Sequence, residues 1–164
     1  MTRRKIVYLA SPLGFAHSTA GFMAQVVDGL GPHVDILNPW DDKRFEDEIA
    51  ALAQEESFSH RRTRLSEINQ ELARNNTADI DAADGVFAVL DGVDVDSGTA
   101  AEIGYAYAKG KRVYGLRTDF RLAGDNLGAI VNLQVQFFIE ASGGNIALAL
   151  SDLVECARRF AADD

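Results

Sequence analysis

Four short runs of mainly apolar residues recur along this chain, and each of them ends in turn-forming residues. The runs cover residues 6–10, 34–37, 85–90 and 112–116. A strand that is buried on both faces has such a nearly continuous apolar sequence. Because the runs alternate with helix-like stretches, the chain is predicted to form a parallel sheet with helices on both faces.

Between the runs, apolar residues recur at helical spacing. The pattern predicts helices over residues 17–30, over most of 45–81 and over 99–110. After the fourth run we expect a helical turn near Leu127, a fifth strand at 135–139 and a closing helix at 145–162. The fold class is therefore α/β, a single domain over residues 1–164 with a doubly wound, flavodoxin/Rossmann-like parallel five-stranded sheet.

Composition and charge exclude several classes of function. The 47% hydrophobic content over 164 residues suits one core, and the net charge of -9, without a lysine or arginine stripe, argues against nucleic acid as a partner. The amino terminus has too short an apolar run for a signal peptide or membrane span, so we expect a cytoplasmic protein. His17, His33, His60 and Cys156 lack ligand-like spacing, so we expect no metal.

The loop that follows the third run is dense in carboxylates. Asp91, Asp94 and Asp96 precede a helix, and Glu102 lies within it. Acidic residues at a helix start commonly cap it and complement its dipole, which is the simplest interpretation and the one we keep for Asp94. The small residues around Gly98 and the alanines after it instead leave room for a ligand, at the sheet edge where α/β proteins bind one.

Two segments carry a resemblance to a known family. The stretch DSGTAAEIGYAYAKGK, with LDG upstream and YLASPLGF at the amino terminus, resembles the nucleoside 2-deoxyribosyltransferase family. The resemblance implies a retaining, two-step transfer through a covalent glycosyl-glutamate. It places the nucleophile on Glu102, the acid that contacts and helps protonate the base on Asp96, and the residue that orients the nucleophile on Tyr8.

The resemblance also implies residues that bind the substrate, a deoxynucleoside together with a free nucleobase. A polar family position before the third strand falls on Asn76, although the adjacent Asn75 allows the register to slip by one residue. A residue lent by a neighbouring subunit falls on Asn126, with Asn132 as the alternative. A homo-oligomer of at least two chains is therefore implied, and no cofactor.

The remaining binding positions lie in the loops at the same sheet edge. The backbone of Ala10 and Ser11 is interpreted as contacting the base, and Leu13 begins a loop that sets the size of the pocket. Trp40 either stacks on the base or covers the edge of the core. Glu102 is expected to be held ionised by the positive end of its own helix, next to the developing positive charge on the sugar.

Two alternatives stay open. One is a hydrolase of the same fold that cleaves 2'-deoxynucleoside 5'-monophosphates, but such relatives tend to have serine at position 96 and an arginine-containing first loop, which here reads SPLGFAHS. Arg117 and Arg121 remain possible phosphate contacts under this reading. The other is a sensor that binds nucleosides without catalysis, which would have no use for a carboxylate aimed at C1'.

Overall fold

The computed structural model describes residues 3–163, which form alternating strands and helices. The strands are β1 (Ile6–Ala10), β2 (Asp35–Leu37), β3 (Gly85–Val89), β4 (Arg112–Leu116) and β5 (Ile146–Ala147). The helices are α1 (Ala20–Leu30), α2 (Glu46–Leu52), α3 (Phe58–Ala82), α4 (Ser97–Ala108), α5 (Leu133–Ala141) and α6 (Leu150–Ala162). Within residues 3–163, no helix is both long enough and apolar enough to cross a membrane.

All five strands are parallel, in the order β2-β1-β3-β4-β5. This is the flavodoxin-like order, and it confirms the predicted fold class. The chain runs from β1 outward to β2, then returns to the other side of β1 to form β3. The carboxyl ends of β1 and β3 therefore flank the point where the direction of winding changes, which is where such sheets bind ligands.

The sheet separates two layers of core. On β1, Val7 and Leu9 face α1 and α6, and Tyr8 and Ala10 face the opposite layer. That opposite layer is formed by α3, α4 and α5, which we call the α3/α4/α5 face. Since side chains alternate along a strand, the single polar side chain of β1 is directed at the layer that also contains Glu102.

The predicted fifth strand is wrong. Residues 135–139 lie in α5, where Val135 and Ile139 are one helical turn apart and both buried, and Asn132 caps the helix. A short apolar run does not by itself distinguish a buried strand from a buried helix face. The fifth strand is instead the two-residue β5, so the closing helix α6 starts at Leu150 and not at residue 145.

Smaller differences concern the ends of helices. Residues 45–81 contain α2 and α3 with a break between them, and α1 begins at Ala20 after a 3-10 turn at His17–Thr19. The segment near Leu127 is a turn without helix, and Leu127 itself is exposed. Helix boundaries depend on the cap more than on apolar periodicity, and these ends are where the sequence pattern was least informative.

Candidate active site

The centre of the candidate site is a hydrogen bond between Tyr8 of β1 and Glu102 of α4. The Tyr8 hydroxyl donates to Glu102 Oε1 at 2.7 Å. Tyr8 is fully buried, and Glu102 is largely enclosed in the second turn of α4. The bond joins the strand at the winding change to the helix that follows β3, and it fixes one oxygen of the carboxylate.

Burial raises the pKa of Glu102 above its usual range, and the nearby charge of Asp96 adds to this effect. The hydrogen bonds from Tyr8 and Asn76 act in the opposite direction because they stabilise the carboxylate. The net direction of the shift is upward, and the ionisation of Glu102 by the positive end of its helix stays a prediction. Glu102 lies more than one turn inside α4, where the dipole has little effect and loss of water dominates.

Tyr8 stays a hydrogen-bond donor. Burial raises the pKa of its hydroxyl far above the usual range, and the charge of Glu102 and the hydrogen bond to it raise the pKa further. Because the phenol stays protonated at every pH at which the protein works, its proton remains available to Glu102. Tyr8 is therefore a stable hydrogen-bond donor to one oxygen of the carboxylate.

The structure distinguishes between the two candidate asparagines of α3. The Asn76 side chain faces Glu102 and lowers the pKa of that carboxyl through a hydrogen bond. Asn75 is directed to a different side of the helix, where its amide approaches Asp42. The Tyr8, Glu102 and Asn76 side chains thus converge from a strand and two helices.

Asp96 caps α4. Its Oδ2 accepts hydrogen bonds from the Thr99 backbone N–H at 3.0 Å and from the Thr99 hydroxyl at 3.3 Å. Gly98 is exposed in the first turn, and a Cβ atom at this position would lie 3.1 Å from Asp96 Oδ2. Asp96 therefore caps the start of α4, as acidic residues at a helix start commonly do. The carboxylate is also near enough to Glu102 for its charge to be felt there.

Sequence reasoning missed how the loop between β3 and α4 is held. Arg117, at the end of β4, is 2% exposed, and its Nη1 donates to the carbonyls of Leu90 at 2.6 Å and Gly92 at 2.9 Å. Asp91 in turn accepts from the Thr118 backbone N–H at 2.6 Å and from Asp119 N–H at 2.9 Å. A lone arginine that directly follows an apolar strand was the available signal.

These contacts also bear on the phosphate alternative. The Arg117 guanidinium is committed to backbone carbonyls, including that of Arg121 through Nη2 at 3.1 Å. Arg121 Nε is paired with Asp119 at 2.9 Å. Both arginines that the sequence left open as phosphate contacts therefore have protein partners.

The loop after β1 is joined to the loop after β2 by Trp40. Its indole Nε1 donates to the Ser11 carbonyl at 2.7 Å, and its ring contacts Phe15 edge to face at 4.6 Å between centroids. The ring also lies where a Cβ atom on Gly14 would be, 2.0 Å from the nearest ring carbon, so only glycine fits there. Trp40 thus covers the edge of the core and links the two loops.

The other predicted residues of the first loop are buried beside this contact. Ala10 ends β1 on the α3/α4/α5 face. The Ser11 hydroxyl accepts from the Leu13 backbone N–H at 3.1 Å, and both residues are nearly inaccessible to solvent. Their side chains shape the loop, and contact of the Ala10 and Ser11 backbone with a base stays a prediction.

Asn126 and Asn132 lie in the connection between β4 and α5, and no hydrogen bond described for residues 3–163 joins either of them to Glu102. Asn132 caps α5, with Oδ1 accepting from the Gln134 backbone N–H at 3.0 Å. Asn126 is exposed in a turn, and its Oδ1 accepts from the Gly128 backbone N–H at 2.8 Å. Across that same span, no group of three or more histidine, cysteine, aspartate or glutamate side chains is arranged to hold a metal ion.

The fold and the site together define a class, a flavodoxin-like α/β protein that presents a buried, tyrosine-bound carboxylate at its winding change. The chain belongs to the nucleoside 2-deoxyribosyltransferase family, whose sequence model matches residues 7–134. This confirms the resemblance carried by the DSGTAAEIGYA segment. The matched range includes Tyr8, Asn76, Asp96 and Glu102 as well as both asparagines of the connection between β4 and α5.

Solved structures of other proteins share the fold. A conserved protein from Enterococcus faecalis V583 has 25% identity and a TM-score of 0.72, with coverage of 96% of this chain and 99% of that one. A 2-deoxyribosyltransferase from Bacillus psychrosaccharolyticus has 24% identity and a TM-score of 0.56 over 91% and 90%. A CMP N-glycosidase from Clostridium botulinum has 18% identity and a TM-score of 0.54 over 95% and 99%. The comparison with curated proteins finds no match.

The raised pKa of Glu102 predicts how stability depends on pH. The folded protein holds the Glu102 proton more tightly than the unfolded chain, so this residue lowers stability as pH rises from the unfolded to the folded pKa. We expect Glu102→Gln to be more stable than the wild type at neutral pH. The difference should vanish below about pH 4, where glutamate is protonated in both states.

Urea unfolding at a series of pH values measures this difference. Glu155→Gln is the control, since Arg158 and Arg159 hold the pKa of Glu155 at about 2 and its substitution should not stabilise the protein at neutral pH. A wild-type advantage over Glu102→Gln that grows with pH would contradict the raised pKa.

Proposed function

We propose that this protein transfers 2-deoxyribose between nucleobases, with Glu102 as the nucleophile. The observation that carries the proposal is the Tyr8–Glu102 hydrogen bond of 2.7 Å at the winding change of the sheet. It occupies Oε1 of the carboxylate and leaves Oε2 to approach C1' of a bound deoxynucleoside. The family match supports the same assignment.

The reaction has two steps that mirror each other. In the first, Glu102 Oε2 forms a bond to C1' as the C1'–N bond breaks, and the bonding electrons leave with the base. The base takes up a proton supplied or relayed by Asp96, and an ester between deoxyribose and Glu102 remains. In the second step a nitrogen of the incoming base attacks C1', releases the carboxylate and gives its proton back.

Burial of Glu102 suits this chemistry. A carboxylate with little water around it interacts strongly with the positive charge that develops on the sugar, because the local dielectric is low. Tyr8 and Asn76 oppose the rise in the pKa of Glu102 and so keep an ionised fraction available. We propose that the two side chains hold the nucleophile in position and that burial supplies much of its reactivity.

The alternative activity is hydrolysis of 2'-deoxynucleoside 5'-monophosphates, and a non-catalytic sensor is a third candidate. The engagement of Arg117 by carbonyls and of Arg121 by Asp119 favours a nucleoside over a phosphorylated substrate. The burial of the Glu102 carboxylate opposes folding, and a protein that only binds nucleosides would gain nothing from it.

We expect deoxyinosine and free adenine to give deoxyadenosine and hypoxanthine, as resolved by liquid chromatography. Glu102→Ala should lower the rate at least about 1,000-fold, since it removes the group that forms the covalent intermediate. Since alanine leaves the buried Tyr8 hydroxyl without its acceptor, Glu102→Gln, which keeps an acceptor, should show the same loss of rate in a folded protein. Release of base without deoxyadenosine would indicate a hydrolase, unchanged substrates a sensor, and full activity of Glu102→Ala would contradict the nucleophile.

The substitution Asp96→Asn distinguishes the role of Asp96 as a helix cap from its proposed role in proton transfer. Asparagine caps helices about as well as aspartate, so the free energy of unfolding should change by less than about 1 kcal/mol. If Asp96 supplies or relays a proton to the base, the turnover number should fall about 100-fold. Denaturant unfolding and the exchange rate, measured on one preparation, test this. A turnover number close to that of the wild type would leave Asp96 as a cap alone.

We further propose that the protein is a homo-oligomer whose neighbouring subunit completes the site. The connection between β4 and α5, together with α5 itself, carries a set of exposed apolar side chains, which we call the β4–α5 patch: Phe120, Leu122, Leu127, Leu133 and Phe137. Phe120 is 97% exposed and Leu127 94%. Apolar clusters of this kind commonly mark protein interfaces. Asn126 precedes Leu127 and would be carried to a partner along with it.

Mixed oligomers test this proposal. Glu102→Ala and Asn126→Ala should each be nearly inactive alone. A co-expressed mixture should regain about a quarter of the wild-type rate, since half of the dimers are mixed and one of their two sites is intact. Asn132→Ser, which keeps a capping side chain, replaces Asn126→Ala in a parallel mixture. Recovery in neither mixture would contradict the shared site.

A further inference from the structure

A cavity of about 430 Å³ lies at the carboxyl end of β2, the strand next to β1, and the proposed reaction does not yet use it. It is enclosed by the segment that follows β2 and by one side of α3. The first contributes the polar side chains of Asn38, Asp41, Asp42 and Arg44, and the second those of Asn75 and Asp79. Since both elements meet at the carboxyl edge of the sheet, this cavity opens where the fold binds ligands.

Asp42 and Arg44 form a fork-like ion pair. Arg44 Nη2 lies 2.6 Å from Asp42 Oδ2, and Arg44 Nε donates to Oδ1 at 2.9 Å. The guanidinium lowers the pKa of Asp42 to about 2, so this carboxylate stays ionised at neutral pH. A carboxylate oxygen accepts more than one hydrogen bond, so Asp42 keeps accepting capacity toward the cavity.

Asn75 offers the cavity a hydrogen-bond donor, whereas Asp42 offers an acceptor. Its amide nitrogen, Nδ2, is buried and has no hydrogen-bond partner in the described part of the chain. The amide approaches Asp42 closely enough to lower the pKa of that carboxyl slightly. A buried amide nitrogen of this kind normally donates a hydrogen bond, so Asn75 can donate to an acceptor that enters the cavity.

The cavity lies near the site of the proposed chemistry, since Leu37 lines it and is the neighbour of Tyr8 in the sheet. Asn75 directly precedes Asn76, whose side chain faces Glu102. The charge of Asp79 raises the pKa of Tyr8 on one side and that of Arg44 on the other, so Asp79 lies between the two. A group bound at Asp42 and Asn75 can therefore belong to the same substrate whose sugar lies at Glu102.

The charges select the kind of group. Asp41, Asp42 and Asp79 line the cavity against the single cation of Arg44, which disfavours a phosphate. What fits is a neutral group with an N–H donor for Asp42 and a carbonyl acceptor for Asn75. The edges of hypoxanthine, guanine, uracil and thymine offer these side by side. In adenine and cytosine the ring nitrogen is an acceptor and the exocyclic group a donor, so both polarities are reversed.

We propose that this cavity receives the hydrogen-bonding edge of the nucleobase and that Asp42 and Asn75 select oxo bases over amino bases. The selection rests on the proposed deoxyribosyl transfer, because it identifies which substrates that reaction uses. A site built to hydrogen-bond one pattern of donors and acceptors discriminates against the reverse pattern. Arg44 holds Asp42 ionised and oriented and is a positioning residue.

Binding is measured first, on the Glu102→Gln protein, so that no turnover intervenes. Calorimetric titrations compare deoxyinosine with deoxyadenosine, and deoxyuridine with deoxycytidine. The oxo member of each pair should bind at least about tenfold more tightly. Equal affinities within both pairs would overturn the proposal.

Substitutions then assign the preference to residues in the otherwise wild-type enzyme. Asp42→Asn, whose amide both donates and accepts, should bring the ratio of kcat/KM for oxo and amino substrates close to one. Asn75→Ala should weaken the oxo substrates about tenfold and leave the amino substrates nearly unchanged. Asp28→Asn, the same substitution on α1 across the sheet, should leave the ratio as it is.

The outcomes separate this inference from the proposed function. Oxo-selective binding in a protein that cleaves no nucleoside would contradict only the transfer reaction. Transfer that proceeds without preference between oxo and amino bases would contradict only the base selection. A preference that survives both Asp42→Asn and Asn75→Ala would also overturn it, because the cavity would then not contain the determinant.

Discussion

The hydrogen bond between the Tyr8 hydroxyl and Glu102 Oε1 is the contact on which the site depends. Its partners are 94 residues apart in the chain and come from β1 and α4, which meet because the sheet changes its direction of winding between β1 and β3. The bond places a polar pair in a layer that is otherwise apolar, where an unpaired phenol or carboxylate would strongly oppose folding. Burial between the sheet and the helices is the reason that the two groups must be paired. The same burial raises the pKa of the Glu102 carboxyl.

Much of the fold and part of the site followed from the sequence. The runs that form β1, β3 and β4 are buried on both faces, so each of them had a nearly continuous apolar pattern that identified it as a strand. The family resemblance placed Glu102 and Tyr8, which the structure brings together. By contrast, α5 was taken for a strand because Val135 and Ile139 gave too short a pattern to separate the two periods.

What the sequence could not give were properties that depend on distance in space. The pKa of Glu102 depends on how far the surrounding helices exclude water from its carboxyl group. The sequence predicts only the position of Glu102 along α4. Which of Asn75 and Asn76 faces Glu102 depends on how α3 is rotated about its axis over β1. A shift of the sequence by one residue along α3 would exchange the two positions. The hydrogen bonds of the Arg117 guanidinium go to backbone carbonyls, which every residue has. The amino-acid sequence therefore could not identify its partners.

The way Arg117 holds the loop after β3 has a consequence for how this family of sites can diversify. Because the Arg117 guanidinium donates to the carbonyls of Leu90 and Gly92, part of the loop is held through its backbone, and the Asp91 carboxylate connects it to Thr118 and Asp119. The Asp94 carboxylate also accepts from the Val95 backbone N–H at 2.7 Å, whereas Val93 is 77% exposed. Position 93 is therefore a natural place for randomised libraries, where new side chains can be sampled near Asp96 while the contacts that hold the loop are kept.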